Sequence, residues 1–227
     1  TLFDDGLTRI TQETGIRSFG ILPWFEEAHR LPAEDALGLS RYHGKSAGNV
    51  SIAVPIFSRV ANFDDLDPLA AEPDVDLVMV QPGEPIPAGA DLILLTGSKA
   101  TRADLSFLFD QGWDIDIQAH VRRGGAVLGL CAGYQMLGHS VADPAGVEGT
   151  AGETKGLALL DVKTVLGGNK TLRPVEGRDL ASDLPISGYE MHIGETDGLA
   201  LANPMLRLSD RNDGAVSSDG LISGCYV

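Results

Sequence analysis

The stretch Ala126-Val127-Leu128-Gly129-Leu130-Cys131-Ala132-Gly133-Tyr134-Gln135-Met136-Leu137-Gly138 decides how the rest of the chain is read. A short apolar run leads into a cysteine with glycines on either side, and a helix-like segment comes after it. That is the pattern of a nucleophile elbow, a sharp strand-to-helix turn that lifts one side chain above a sheet edge. Small residues at Gly129 and Gly133 let such a turn close without steric conflict. A helix starting near Ala132 aims its N–H groups at the sulfur and favours the thiolate. A lone cysteine is more often a buried packing residue. Glycines at a strand–helix junction turn the reading toward chemistry.

Around that stretch, 227 residues suffice for one large domain or one domain with an appendage. The hydrophobic fraction of 43% and charged fraction of 22% are those of a globular protein. A formal charge of −15 with no basic stripe excludes nucleic acid and anionic membranes as partners. Two cysteines, Cys131 and Cys225, give no disulfide framework, and the chain reads as cytoplasmic. It has no run of membrane-spanning length and no signal-peptide pattern. Thr1 and the strand-like Ser223-Gly224-Cys225-Tyr226-Val227 both read as cuts inside a longer protein.

Residues 1–45 differ in style from the remainder of the chain. Ser18-Phe19-Gly20-Ile21-Leu22-Pro23-Trp24 predicts a short buried strand ending at a proline, and residues 40–48 a linker. His29 and His43 receive no role. From Asn49 the pattern is regular, with strands at 50–54, 76–80, 91–95 and 126–130. One helix is expected through Leu105, Leu108, Phe109, Trp113, Ile117 and Val121, ending at Gly124-Gly125. Near-continuous apolar strands alternating with helices predict an α/β fold, a mostly parallel sheet covered on both faces. The C-terminal part is strand-rich, with candidates at 157–166, 170–175, 188–193, 205–208 and 221–226 forming a layer appended to one end of that sheet.

In parallel sheets functional groups gather at the carboxyl ends of the strands, where Gly97 and Cys131 both fall. A cysteine nucleophile needs donors for a developing oxyanion, and the N–H of Ala132 and the Gly97-Ser98 turn can supply them. Lys99 and Thr101 cap or position a polar substrate, or face water. His120 reads as a packing or surface residue, and His139 points away from the cysteine. His192, in Gly188-Tyr189-Glu190-Met191-His192-Ile193-Gly194-Glu195-Thr196, is the default base from the residues alone.

The elbow, the loop Thr96-Gly97-Ser98-Lys99-Ala100-Thr101 and the segment around His192 together resemble the cobyric acid synthase family. So do Ser58-Arg59-Val60-Ala61-Asn62-Phe63-Asp64-Asp65-Leu66-Asp67-Pro68-Leu69 and Leu31-Pro32-Ala33-Glu34-Asp35. The resemblance covers essentially the whole chain. It implies a class I glutamine amidotransferase-like (flavodoxin-like) fold. Residues 1–45 become the C-terminal tail of an ATP-dependent amidoligase domain plus linker, and 46–227 a glutaminase domain cut short at its C-terminus. Cys131 then attacks the glutamine side-chain amide, with Gly97, Ser98, Ala132 and Gln135 binding substrate or oxyanion. The ammonia passes to the chain's own amidoligase domain, which amidates carboxylates of adenosylcobyrinic acid a,c-diamide.

No cofactor is implied for the glutaminase domain. ATP and Mg belong to the ligase domain, as does most of the corrinoid contact. The family usually has glycine directly after the nucleophile, where this chain has Ala132; the backbone N–H is kept. The family's catalytic histidine comes after a Gly-x-Tyr-Val-type strand, so the expected base lies just after Val227, with His192 the alternative and Cys225 a packed strand residue. Three other readings stay open: a glutaminase subunit for peptidoglycan amidation, a catalytically silent docking module, and a cysteine hydrolase of similar fold.

Overall fold

Residues 4–21, 49–61, 63–168 and 170–227 are described by the computed structural model. They belong to two units, residues 1–38 and 39–227. In the first, helix α1 (Asp4–Thr14) ends where Gly15 takes φ +69 and its N–H bonds Thr11 O, an ending that glycine favours. Over residues 18–21, the described part of the strand expected at 18–24, the chain is not a buried strand. Residues 15–21 are irregular, and Phe19 is 95% exposed. A strand needs a neighbour to take its backbone hydrogen bonds. Here the N–H groups of Ile16 and Gly20 bond the nearby hydroxyls of Thr14 and Ser18. Residues 22–48, with His29, His43, residues 31–35 and the linker, lie outside the described residues, as does Asn62.

The second unit is built on a six-stranded sheet. Strands β1 (Val50–Pro55), β2 (Val75–Val80), β3 (Leu92–Leu95) and β4 (Ala126–Leu130) are parallel, as is β14 (Ile222–Cys225). The short β13 (Ala215–Val216) adds antiparallel at the edge, giving the order β13-β14-β4-β3-β1-β2. Ile93, Leu94 and Leu95 point alternately to opposite faces and are all buried, so the sheet is covered on both sides. The strand expected at 221–226 is therefore not part of the appended layer. It enters the main sheet beside β4, with Gly224 opposite Gly129, because its side chains are buried on both faces like those of the other central strands.

Helix α2 (Asp67–Ala71) comes after a 3-10 turn, Phe63–Leu66. The single helix expected across residues 105–121 is two, α3 (Thr101–Asp110) and α4 (Trp113–Arg122). Gly112, at φ +73, breaks the helical path between them. The apolar spacing runs on through the break because Leu105, Leu108, Trp113 and Ile117 all enter one core. Helix α5 (Ala132–Leu137) starts directly behind the elbow.

The strand-rich part forms two four-stranded sheets. One holds β5 (Ser140–Asp143), β6 (Gly152–Lys155), β7 (Lys163–Val165) and β10 (Glu195–Asp197) in the order β10-β7-β5-β6. The other holds β8 (Thr171–Asp179), β9 (Pro185–His192), β11 (Leu206–Leu208) and β12 (Asn212–Asp213) in the order β12-β11-β8-β9. Only the end of the expected strand 157–166 is strand. The N–H groups of Leu157, Ala158 and Leu159 instead bond the carbonyls of Met136, Gly138 and Leu137. They satisfy acceptors that the end of α5 leaves open.

The glycines of the elbow are set by distance. A Cβ at position 133 would lie 2.0 Å from Leu95 O, and one at 129 would lie 2.6 Å from the carbonyl carbon of Gly133. At Gly97 the nearest atom to such a Cβ is Ala61 O at 3.6 Å, an ordinary contact. Gly133→Ala is therefore expected to cost about 2 kcal/mol or more of unfolding free energy, and Gly97→Ala less than about 1 kcal/mol. Urea denaturation of the two variants checks the contrast.

Candidate active site

The strands β1, β3, β4 and β14 all end at one edge of the sheet, near the point where the strand order reverses between β1 and β3, and there the cleft of such a fold lies. Cys131 sits there between β4 and α5 with φ 54 and ψ −108. Such a backbone costs a residue bearing a Cβ about 1–3 kcal/mol. The surroundings enforce it: the Cys131 N–H donates to Cys225 O at 2.8 Å, and its carbonyl accepts from the Gln135 N–H at 3.2 Å. The thiol donates to the carbonyl of Met191 at the end of β9, 3.4 Å away.

Facing the cysteine is the loop after β3. Its backbone pairs with the segment after β1, with Ala61 N–H donating to Gly97 O and Lys99 N–H to Arg59 O. That bridge leaves the N–H groups of Gly97 and Ser98 outside it. A Cβ on Gly97 would lie 3.8 Å from Cys131 Cβ, so this backbone borders the sulfur's side of the elbow. The loop is fixed from below by Asp104, fully buried in the first turn of α3. Its carboxylate accepts from the Ser58 hydroxyl at 2.6 Å, the Ser98 hydroxyl at 2.5 Å and the Arg59 N–H at 3.2 Å.

Together these elements line a cavity of about 870 Å³, with Cys131, Ala132, Gly97, Ser98, Thr101, Gln135 and His192 all on its wall. Burial pushes the Cys131 thiol up to about 11. The Ala132 N–H pulls the other way, as a helix N-terminus should, but loses; Glu148 and Asp65 raise the value further and Lys170 lowers it. The expectation that the helix favours the thiolate is thus met in sign and reversed in outcome, because burial of the sulfur outweighs the Ala132 N–H.

Gln135 is fully buried and its amide is engaged on both ends. Its Nε2 donates toward Ile193 O at 3.0 Å and the Tyr226 hydroxyl at 3.2 Å, while its Oε1 lies 3.1 Å from Thr101 Oγ1. His192 is on the cavity wall, and its Nε2 is bonded to Glu190 Oε1 at 2.7 Å rather than to the thiol. Ala132 keeps helical geometry, so glycine is not required at that position. His120 is buried against Ala126 O, and His139 pairs with Asp161 away from the cavity. Cys225 is packed in a small apolar cluster with Val175, Leu206 and Leu208, and burial pushes its thiol up to about 12.

Sequence reasoning missed Glu148. Its carboxylate is presented to the cavity by Thr101 Oγ1 at 3.1 Å and the Arg102 N–H at 3.2 Å. The loop carrying it is folded on Asp143, whose carboxylate takes the N–H groups of Val147 and Glu148 at 2.8 and 2.9 Å. Asp143-Pro144-Ala145-Gly146 is a readable turn signal, but it says nothing about which carboxylate the turn delivers. Tyr226 was also missed. It links Gln135, Thr196 and the ring of His192.

A model of the CobB/CobQ-like glutamine amidotransferase domain matches residues 51–227. Over its whole length the chain is 58% identical to the cobyric acid synthase of Rhodobacter capsulatus and 57% identical to that of Bradyrhizobium diazoefficiens, covering 47% of each. It therefore spans about half the length of the curated relatives it matches. Among solved structures, PurLQS from Thermotoga maritima superposes with a TM-score of 0.59 over 78% of this chain and 86% of its own, at 14% identity. A glutamine amidotransferase from Thermotoga maritima gives 0.51 over 78% of this chain and 75% of its own, at 15% identity. These likenesses establish the fold alone, a class I glutamine amidotransferase-like architecture. With the family match running from β1 to the last residue over the elbow and its cavity, the chain belongs to the CobB/CobQ-like glutamine amidotransferase domain family.

Proposed function

We propose that this chain is the glutaminase part of a cobyric acid synthase. It releases ammonia from glutamine for ATP-dependent amidation of adenosylcobyrinic acid a,c-diamide carboxylates by an amidoligase part of the same protein. The observation that carries the reading is Cys131, held at φ 54 on the wall of a cavity that the Gly97-Ser98 turn also lines. The 58% identity to a cobyric acid synthase across the whole chain supports this family's reaction over peptidoglycan amidation.

The Cys131 sulfur attacks the side-chain carbonyl carbon of glutamine. The C–S bond forms as the C=O π pair moves to oxygen, where the N–H groups of Ala132 and of Gly97 or Ser98 receive it. The thiol proton passes to a general base and then to the leaving nitrogen, which departs as ammonia. Water then cleaves the γ-glutamyl thioester to glutamate and restores the thiol. Glu148 offers an acceptor for the substrate's ammonium group. The base is proposed to come after Val227, which lines the cavity at the end of β14. His192 is the alternative. ATP and Mg belong in this reading to the ligase part, as does most of the corrinoid contact, and the reaction is placed in the cytoplasm.

A pKa near 11 leaves on the order of one Cys131 thiol in ten thousand ionised at pH 7. A base that takes the thiol proton during the attack therefore carries much of the rate. In the full-length protein, Cys131→Ala is expected to lower glutamine-dependent amidation by on the order of a thousandfold or more while leaving amidation supported by added ammonia intact. Loss of both activities would contradict the assignment. In this chain alone, alkylation of Cys131 by iodoacetamide is expected to rise about tenfold per pH unit between pH 7 and 10; a plateau reached by pH 8 would contradict the buried-thiol account.

A further inference from the structure

One buried, heavily bonded carboxylate plays no part in the glutaminase chemistry as proposed. Glu190, in the middle of β9, is 4% exposed. Its Oε2 accepts from Arg173 Nε on β8 at 2.9 Å and from Arg211 Nη2, just before β12, at 2.6 Å. Asp210 bonds both arginines, at 2.9 and 3.1 Å, so two positive and two negative side chains close on one another. The remaining oxygen of Glu190, Oε1, takes Nε2 of His192 at 2.7 Å. The His192 ring stacks on Tyr226, with centroids 3.7 Å apart and planes 15° from parallel. Its other nitrogen, Nδ1, is buried and has no hydrogen-bond partner among the described residues.

These contacts fix more than position. Burial raises the Glu190 carboxyl, but Arg173, His192 and Arg211 outweigh it and hold the group below the usual carboxylate range. An ionised carboxylate only accepts, so the hydrogen in the 2.7 Å contact sits on Nε2 of the imidazole. A buried nitrogen with its bonding capacity unused, on a ring lining the cavity that holds Cys131, is a group awaiting a partner.

We propose that Glu190 is a positioning residue for the glutamine site. By taking the Nε2–H of His192 it locks the tautomer and tilt of a ring stacked on Tyr226, and so presents Nδ1 as a fixed hydrogen-bond partner for the bound amino acid. The inference rests on the glutaminase reading for the identity of that ligand. Its account of the ring stands on the contacts alone. The other charged groups around the pair are Arg173 on β8, Asp210 and Arg211 before β12, and Asp213 on β12, whose carboxyl burial raises. Tyr226 closes the pair from β14.

Two measurements on Cys131→Ser protein, which cannot form the thioester, test the proposal. In the first, histidine is labelled with nitrogen-15 and the tautomer of His192 is read from two-bond nitrogen–proton correlations. The Nε2–H form is expected, and Glu190→Gln should mix or invert it. In the second, L-glutamine binding is measured by calorimetry, and Glu190→Gln should raise Kd by about tenfold, the scale of one hydrogen bond to a buried polar group. Glu190→Gln leaves two arginines facing one carboxylate, so the double variant Arg173→Gln with Glu190→Gln, which restores the balance of charge, is measured beside it. An Nδ1–H tautomer in the parent, or an unchanged tautomer or Kd in folded variants, overturns the proposal. A parent chain that shows the Nε2–H lock and its loss, yet binds no glutamine, supports the hold of Glu190 on the ring and counts against the glutaminase reading instead.

Discussion

The site depends on one constraint, the passage of the chain through Cys131 at φ 54 directly over the end of β3. Gly133 lies so close to the Leu95 carbonyl that no side chain fits between them. The strain of that turn is offset by the Cys131 N–H bonding Cys225 and by the helix that starts at once behind it. Three neighbouring strand ends, those of β3, β4 and β14, are therefore locked in register around one sulfur. Each brings a different contribution: the Gly97-Ser98 backbone, the Cys131 thiol, and the Tyr226-Val227 segment that lines the cavity.

Burial then decides the resting chemistry. The same packing that holds Cys131 in its turn raises its thiol to about 11, against the pull of the Ala132 N–H. The thiol rests on the Met191 carbonyl. A protonated, largely buried thiol resists adventitious alkylation and oxidation. Burial, rather than the helix N-terminus, therefore sets the protonation of the resting thiol. The second four-stranded sheet enters this arrangement through β9, which supplies Met191, His192 and the Glu190 anchor in consecutive residues.

The parallel sheet and the elbow were legible because both are local patterns: apolar runs for strands buried on two faces, and glycines where backbones touch. The end of β14 was readable as strand but not as a member of the main sheet, since strand order is a matter of long-range pairing that alternation does not encode. The break at Gly112 was hidden because the two helices bury their apolar residues in one core. Phe19 misled for the opposite reason, an apolar run with no neighbouring strand among the described residues. Within the site, Cys131, Gly97, Ser98, Ala132, Gln135 and His192 do line one cavity, yet Gln135 is taken up by internal bonds and His192 by Glu190. Glu148 and Glu190 were invisible because a carboxylate's role is set by partners far away in sequence.

The central claim is that Cys131 carries the glutamyl group. Acid-quenching the full-length protein during glutamine turnover and mapping its peptides by mass spectrometry tests it most directly. The account predicts a γ-glutamyl group on the peptide containing Cys131 and on no other. Glutamine consumed with that peptide unmodified, or a glutamyl group found elsewhere, would contradict it.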